Sequence, residues 1–111
     1  MKCLSIILFL ALFATASNAQ KIFAVDYSNQ AEVKVFVVKY ENQADLKVYK
    51  VKYQNQAGEN DGKWFFVQYA NQADKKIYFV DYENPADVKV YFVQYENQAG
   101  WRNQSKKHFF Y

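Results

Sequence analysis

Six copies of one short pattern occupy almost all of this chain. Asn-Gln-Ala recurs at Asn29, Asn42, Asn55, Asn71 and Asn97, and Asn84-Pro85-Ala86 is its variant. The Asn residues lie 13, 13, 16, 13 and 13 apart. Two residues before each stands a Tyr: Tyr27, Tyr40, Tyr53, Tyr69, Tyr82 and Tyr95. Each unit opens on a Lys, giving repeats 21–33, 34–46, 47–62, 63–75, 76–88 and 89–101. A repeat this short is one small structural unit that cannot bury an apolar face alone and must pack on its copies.

The unit reads as β. Val, Ile, Tyr, Phe and Trp dominate its first seven positions, and these residues favour pleated strands. No apolar recurrence at three and four residues suggests a helix. Alternation places positions 3, 5, 7, 9, 11 and 13 (Tyr, Val, Tyr, Asn, Ala, Val) on one face, if the strand bends between position 13 and the next Lys. A second bend is expected at Glu-Asn-Gln. On this reading Tyr40, Tyr53, Tyr82 and Tyr95 are buried with their hydroxyls paired, and Asn42, Asn55, Asn84 and Asn97 bond backbone at the bend; Tyr27, Tyr69, Asn29 and Asn71 complete the two ladders. Positions 2 and 4 then form a second face. It is either an interface within the fold or an exposed platform; Trp64, Phe66, Phe79 and Phe92 on it, together with Trp101 from the C-terminal segment, are the candidate binding residues.

Three extra residues sit in Gly58-Glu59-Asn60-Asp61-Gly62, a projecting turn by composition. It divides the array into three repeats plus three. Residues 20–58 carry six Lys and four acids, residues 59–100 four Lys and seven acids, and residues 101–111 three basic residues and no acid. The first two segments are therefore electrostatically complementary. A plain meander would turn alternate faces of successive strands to the same side. Coiling with the two halves interleaved avoids this and sets Lys rows against acid rows. Lys39, Lys50 and Lys52 are expected near carboxylates of residues 74–96. The fold class is all-β: six 13-residue repeats coiled as interleaved halves, followed by a C-terminal strand at 102–111.

Residues 1–19 have one Lys, an apolar run and small residues at Ser17 and Ala19. That is the layout of a secretory signal peptide. Cleavage leaves 20–111, 92 residues of the 111, as one small domain without a transmembrane anchor, secreted or periplasmic. The single cysteine, Cys3, leaves with the signal, which removes disulfides, thiolate metal sites and a Cys nucleophile.

The residues resemble a known family. Lys76-Ile77-Tyr78-Phe79-Val80-Asp81-Tyr82-Glu83-Asn84-Pro85-Ala86-Asp87-Val88, the mid-chain Gly58–Val67 segment, Ala99-Gly100-Trp101-Arg102 and Lys106-Lys107-His108-Phe109-Phe110-Tyr111 together look like the septoil-knot family of small β-repeat domains of unknown function. The resemblance spans residues 21–111. It implies a backbone following a seven-crossing torus knot, with no catalytic residues. Pro85 departs from the repeat and removes one N–H donor.

No catalytic constellation stands out. After cleavage there is one His (His108) and two Ser (Ser28 and Ser105), and the carboxylates recur as copies, where an active site needs singular residues. One His without Cys excludes ordinary zinc sites, and Glu59 and Asp61 lack the closing acid of a calcium loop. No cofactor, no metal and no nucleic-acid partner is expected. The function expected is a non-enzymatic secreted domain valued for a compact, resistant fold. Its alternatives are a self-assembling cross-β matrix protein and a carbohydrate- or surface-binding module using exposed aromatics.

Overall fold

The computed structural model describes residues 20–56 and 60–111; the signal-peptide reading of 1–19 falls outside them. Among the described residues seven strands form: β1 Lys21–Ala24, β2 Val33–Val37, β3 Leu46–Lys50, β4 Lys63–Phe66, β5 Lys75–Phe79, β6 Val88–Phe92 and β7 Gly100–Trp101. They follow the β-branched and aromatic run of each repeat. Between strands, Asn-Gln lies in 3₁₀ turns at Ser28–Gln30, Glu41–Gln43, Gln54–Gln56, Ala70–Gln72 and Glu96–Gln98, where the bend at Glu-Asn-Gln is expected.

The sheet order is β4-β1-β5-β2-β6-β3-β7, and β3 also pairs with β4. Six parallel strands thus close into a barrel, with β7 antiparallel on the start of β3. Strands of the first half, β1 to β3, alternate with strands of the second half, β4 to β6. This is the interleaving expected from the charge distribution. On a seven-place circuit with β7 between β3 and β4, every successive strand advances two places. The chain makes nearly two circuits before all seven places are filled, the winding of a seven-crossing torus.

The connections entwine the halves. The segment leaving β1 donates from Val25 N–H to the Ile77 carbonyl, and the segment entering β2 donates from Glu32 N–H to the Lys76 carbonyl. Carbonyls of adjacent strand residues point to opposite edges, so residues 25–32 cross β5 from one edge to the other. The barrel interior is filled by side chains, which leaves only the outside for this crossing. The same bonds carry 38–45 over β6 (to Val90 and Lys89), 67–74 over β1 (to Ile22 and Lys21) and 80–87 over β2 (to Val35 and Lys34). Each half therefore arches over strands of the other.

Inside and outside differ from the sequence expectation. The expected bend between position 13 and the next Lys does not occur: β2 runs straight from Val33 through Lys34 to Val37. Positions 13, 2 and 4 then share one side. Ile22, Val35, Val48, Trp64, Ile77 and Val90, all at position 2, are fully buried, with Val33, Leu46 and Val88 at position 13 beneath them. Position 4 forms the last inward layer at the C-terminal ends of the strands. Phe66, Phe79 and Phe92 there pack on the core, and Lys50 lies over the rings of Phe66 and Phe92 at 5.5 and 4.9 Å. The Tyr ladder is outside: Tyr40, Tyr53, Tyr82 and Tyr95 are 65, 65, 75 and 64 % exposed. The reason is that position 7 has already left the strand and begins the 3₁₀ turn.

At the N-terminal ends of the strands, the inward place is apolar in only three of six. β4, β1 and β5 offer Gly62, Gln20 and Lys75 there, contiguous around the barrel. The chain's end compensates. Residues 102–111 are not a strand; Asn103 caps a 3₁₀ helix, Gln104–Phe110, by accepting from Ser105 N–H. That helix delivers Phe110, 2 % exposed, against Trp64 and Trp101 at centroid distances of 5.2 and 6.0 Å. The buried Gln20 side chain donates to the Phe110 carbonyl at 3.0 Å. Gly62 has φ +88°, and a Cβ there would stand 2.3 Å from the Lys47 carbonyl oxygen, so no other residue fits.

Candidate functional site

Register makes the outer wall regular. At every one of the six barrel interfaces a position-1 Lys is aligned with a position-3 aromatic of the neighbouring strand: Lys21 with Phe65, Lys76 with Phe23, Lys34 with Tyr78, Lys89 with Phe36, Lys47 with Tyr91 and Lys63 with Tyr49. Each such pair floors a seam between two arches. Two residues of offset at each of six interfaces give a shear of twelve, twice the strand number. Alternation puts these positions on the solvent side, and the aromatics there are half-buried.

Which acid borders a seam sets its charge. Position 8 of the arch above holds Glu41, Glu83 and Glu96 in three seams, and each pairs with the floor Lys: Glu41 with Lys47 at 3.7 Å, Glu83 with Lys89 at 3.4 Å, Glu96 with Lys63 at 3.5 Å. The remaining seams have Ser28, Gln54 and Ala70 at that position, over Lys34, Lys21 and Lys76. Two of those three carry an acid at position 6 of their other arch, Asp81 and Asp26. The Lys21 seam alone has an amide at both places, Gln54 and Gln68.

That seam is also an open groove of about 540 Å³. Lys21 and Phe65 line it together with Gln54, Gln68, Asn71 and Gln72. Among the described residues, Lys21 makes no ion pair, and none of the four amides makes a side-chain hydrogen bond. A smaller hollow of about 310 Å³ near Asp45, Asp87 and Lys106 is spent on structure: Asp45 accepts from Lys89 N–H and from Asn103 Nδ2, and Lys106 Nζ donates to the Asp87 carbonyl.

The expected binding platform dissolves. Trp64 is fully buried core, while Phe66, Phe79, Phe92 and Trp101 are partly buried against it, and the Trp101 indole donates to the Asn60 carbonyl. The structure instead exposes the six position-7 Tyr. Asn29, Asn42, Asn55, Asn71, Asn84 and Asn97 are all exposed. The bend is held by backbone, with Gln43 N–H donating to the Tyr40 carbonyl and equivalents in four other turns. Pro85 lacks that donor, and its turn keeps only the bond from Ala86 N–H to the Glu83 carbonyl. Lys39 and Lys52 have no ion pair among the described residues, and Lys50 is held by rings. Position-12 acids join the halves instead, through backbone N–H groups of Lys residues. Ser105 Oγ donates to Asn103 Oδ1 at 2.6 Å and His108 stacks on Phe109, so the two groups are engaged separately.

A family model described as the 7(1) septoil knot domain matches residues 19–102. The chain belongs to the septoil knot domain family. The two-place advance of strands and the arches between halves are how this sequence builds a septoil knot. The family's function is unspecified, and neither a curated protein nor a solved structure matches the chain. The groove at Lys21 was missed at the sequence level because its lining comes from three separate repeats of the septoil knot. The available signal was the pair of amides, Gln54 and Gln68, at places where other repeats carry charge.

Proposed function

We propose that this septoil knot works outside the cell as a non-enzymatic scaffold whose useful property is a fold that opens only as a whole. One observation carries the reading: arches of each half cross strands of the other, so no repeat can leave the sheet without displacing its neighbours. Local opening supplies the substrate for proteolysis, and an extracellular protein meets proteases without renewal. The leader-like residues 1–19 support export. Closure of the sheet argues against the cross-β alternative, which needs free strand edges.

The test is to recover the protein from medium or periplasm, measure its mass, and follow its cleavage by a nonspecific protease against its unfolding rate. A mature chain starting at Gln20 and cleaved no faster than it unfolds globally is the expected result. Retained Met1, or rapid internal cleavage of the folded protein, would overturn the reading.

A further inference from the structure

The six seams are copies of one design, and the Lys21 seam departs from it in one direction. Three seams neutralise their floor Lys with Glu41, Glu83 or Glu96; two others make no ion pair among the described residues but have an acid, Asp81 or Asp26, at position 6 of the bordering arch. At Lys21 both bordering places are amides, and the seam opens into a groove of about 540 Å³, within the usual range of about 300–1,000 Å³ for small-ligand sites. An ammonium without a described counter-ion attracts an anion. Side-chain amides both donate and accept, as a row of sugar hydroxyls requires. Phe65, aligned with Lys21 across the β1–β4 interface, adds an apolar ring for a pyranose face.

We propose that the groove between the 3₁₀ turns Gln54–Gln56 and Ala70–Gln72 binds a carboxylated sugar of an acidic polysaccharide. The sugar carboxylate meets the Lys21 ammonium, its hydroxyls meet the amides of Gln54, Gln68, Asn71 and Gln72, and its apolar face lies along Phe65. Other anions would satisfy Lys21 alone; hydroxyl-rich neutral sugars would satisfy the amides alone. The combination selects acidic sugars. The inference uses the extracellular placement proposed above but not the resistance of the fold.

The test is calorimetric titration of the purified protein with trigalacturonate, with an uncharged trisaccharide and a short oligonucleotide as comparators. Two variants accompany it. Lys21→Gln removes the cation. Gln54→Glu gives this seam the acid that three sibling seams already carry, so it leaves the fold intact and supplies an internal partner for Lys21. Saturable binding of trigalacturonate, at least tenfold tighter than either comparator and at least tenfold weakened in each variant at unchanged thermal midpoint, is the expected result. No saturable binding, equal binding of a comparator, or full binding by Gln54→Glu would overturn the proposal. Any of these would leave the proteolysis result, and so the scaffold reading, untouched.

Discussion

The backbone N–H of Lys21 donates to the carboxylate of Asp74 at 2.9 Å, and the N–H of Asp74 donates back to the Lys21 carbonyl at 2.7 Å. This two-bond clamp joins residue 21 of the first half to residue 74 of the second. It recurs at Lys34 with Asp87, Lys76 with Glu32 and Lys89 with Asp45. In the two units that lack it, position 12 is Gly58 or Gly100. The clamps fix where each arch returns to the sheet. They use the Lys backbone, so the ammonium groups stay outward and the acids do not neutralise them.

Removing a clamp carboxylate leaves a strand N–H without its charged acceptor. Asp87→Ala is expected to cost about 1.5–3 kcal/mol in denaturant unfolding, the range for hydrogen bonds to charged groups. Asp87→Asn keeps an acceptor oxygen and should lose less. Equal losses in the two variants would remove the clamp from the account.

The inside-out placement of Tyr and position 2 is measurable in one pair of variants. Ile77→Ala should destabilise by about 2–5 kcal/mol, as for other buried aliphatics. Tyr53→Ala should stay within about 0.5 kcal/mol, the range of ordinary surface changes. Reversed magnitudes would restore a Tyr core.

Phe110 and Gly62 serve the same corner of the barrel. Phe110→Ala should cost about 3–5 kcal/mol, although it is the last residue but one of the sequence. Gly62→Ala should cost more than the 0.4–1 kcal/mol or so that a compatible Gly→Ala change adds, because both φ and the Lys47 carbonyl oppose a Cβ. A thermal midpoint unmoved by either substitution would contradict the packing described.

The repeat, its β character, the turn at Asn-Gln and the interleaving of halves were legible in the sequence, the last because Lys39, Lys50 and Lys52 stand where the second half has acids, amides or Phe. Which face is buried was not. The parity of the core depends on whether the strand bends between Val33 and Lys34, and nothing in Val-Lys-Val-Phe-Val marks that junction. The strand runs through it because Lys34 N–H and C=O are both held by Asp87 across the sheet, a contact 53 residues away. Phe110 was hidden for a similar reason: the polar corner it fills is assembled from Gln20, Gly62 and Lys75, which are adjacent only once the barrel closes.

The central claim is that neither half can open without the other. Native-state hydrogen exchange reads it directly, at the Val25 and Val38 amides of the first half and the Val80 and Asp87 amides of the second, all bonded across the halves. The account predicts one common opening free energy for these four amides, equal to that of global unfolding. Exchange of the pair from one half at a distinctly lower free energy, with the other pair still protected, would show that the halves open separately and would contradict the entwined fold.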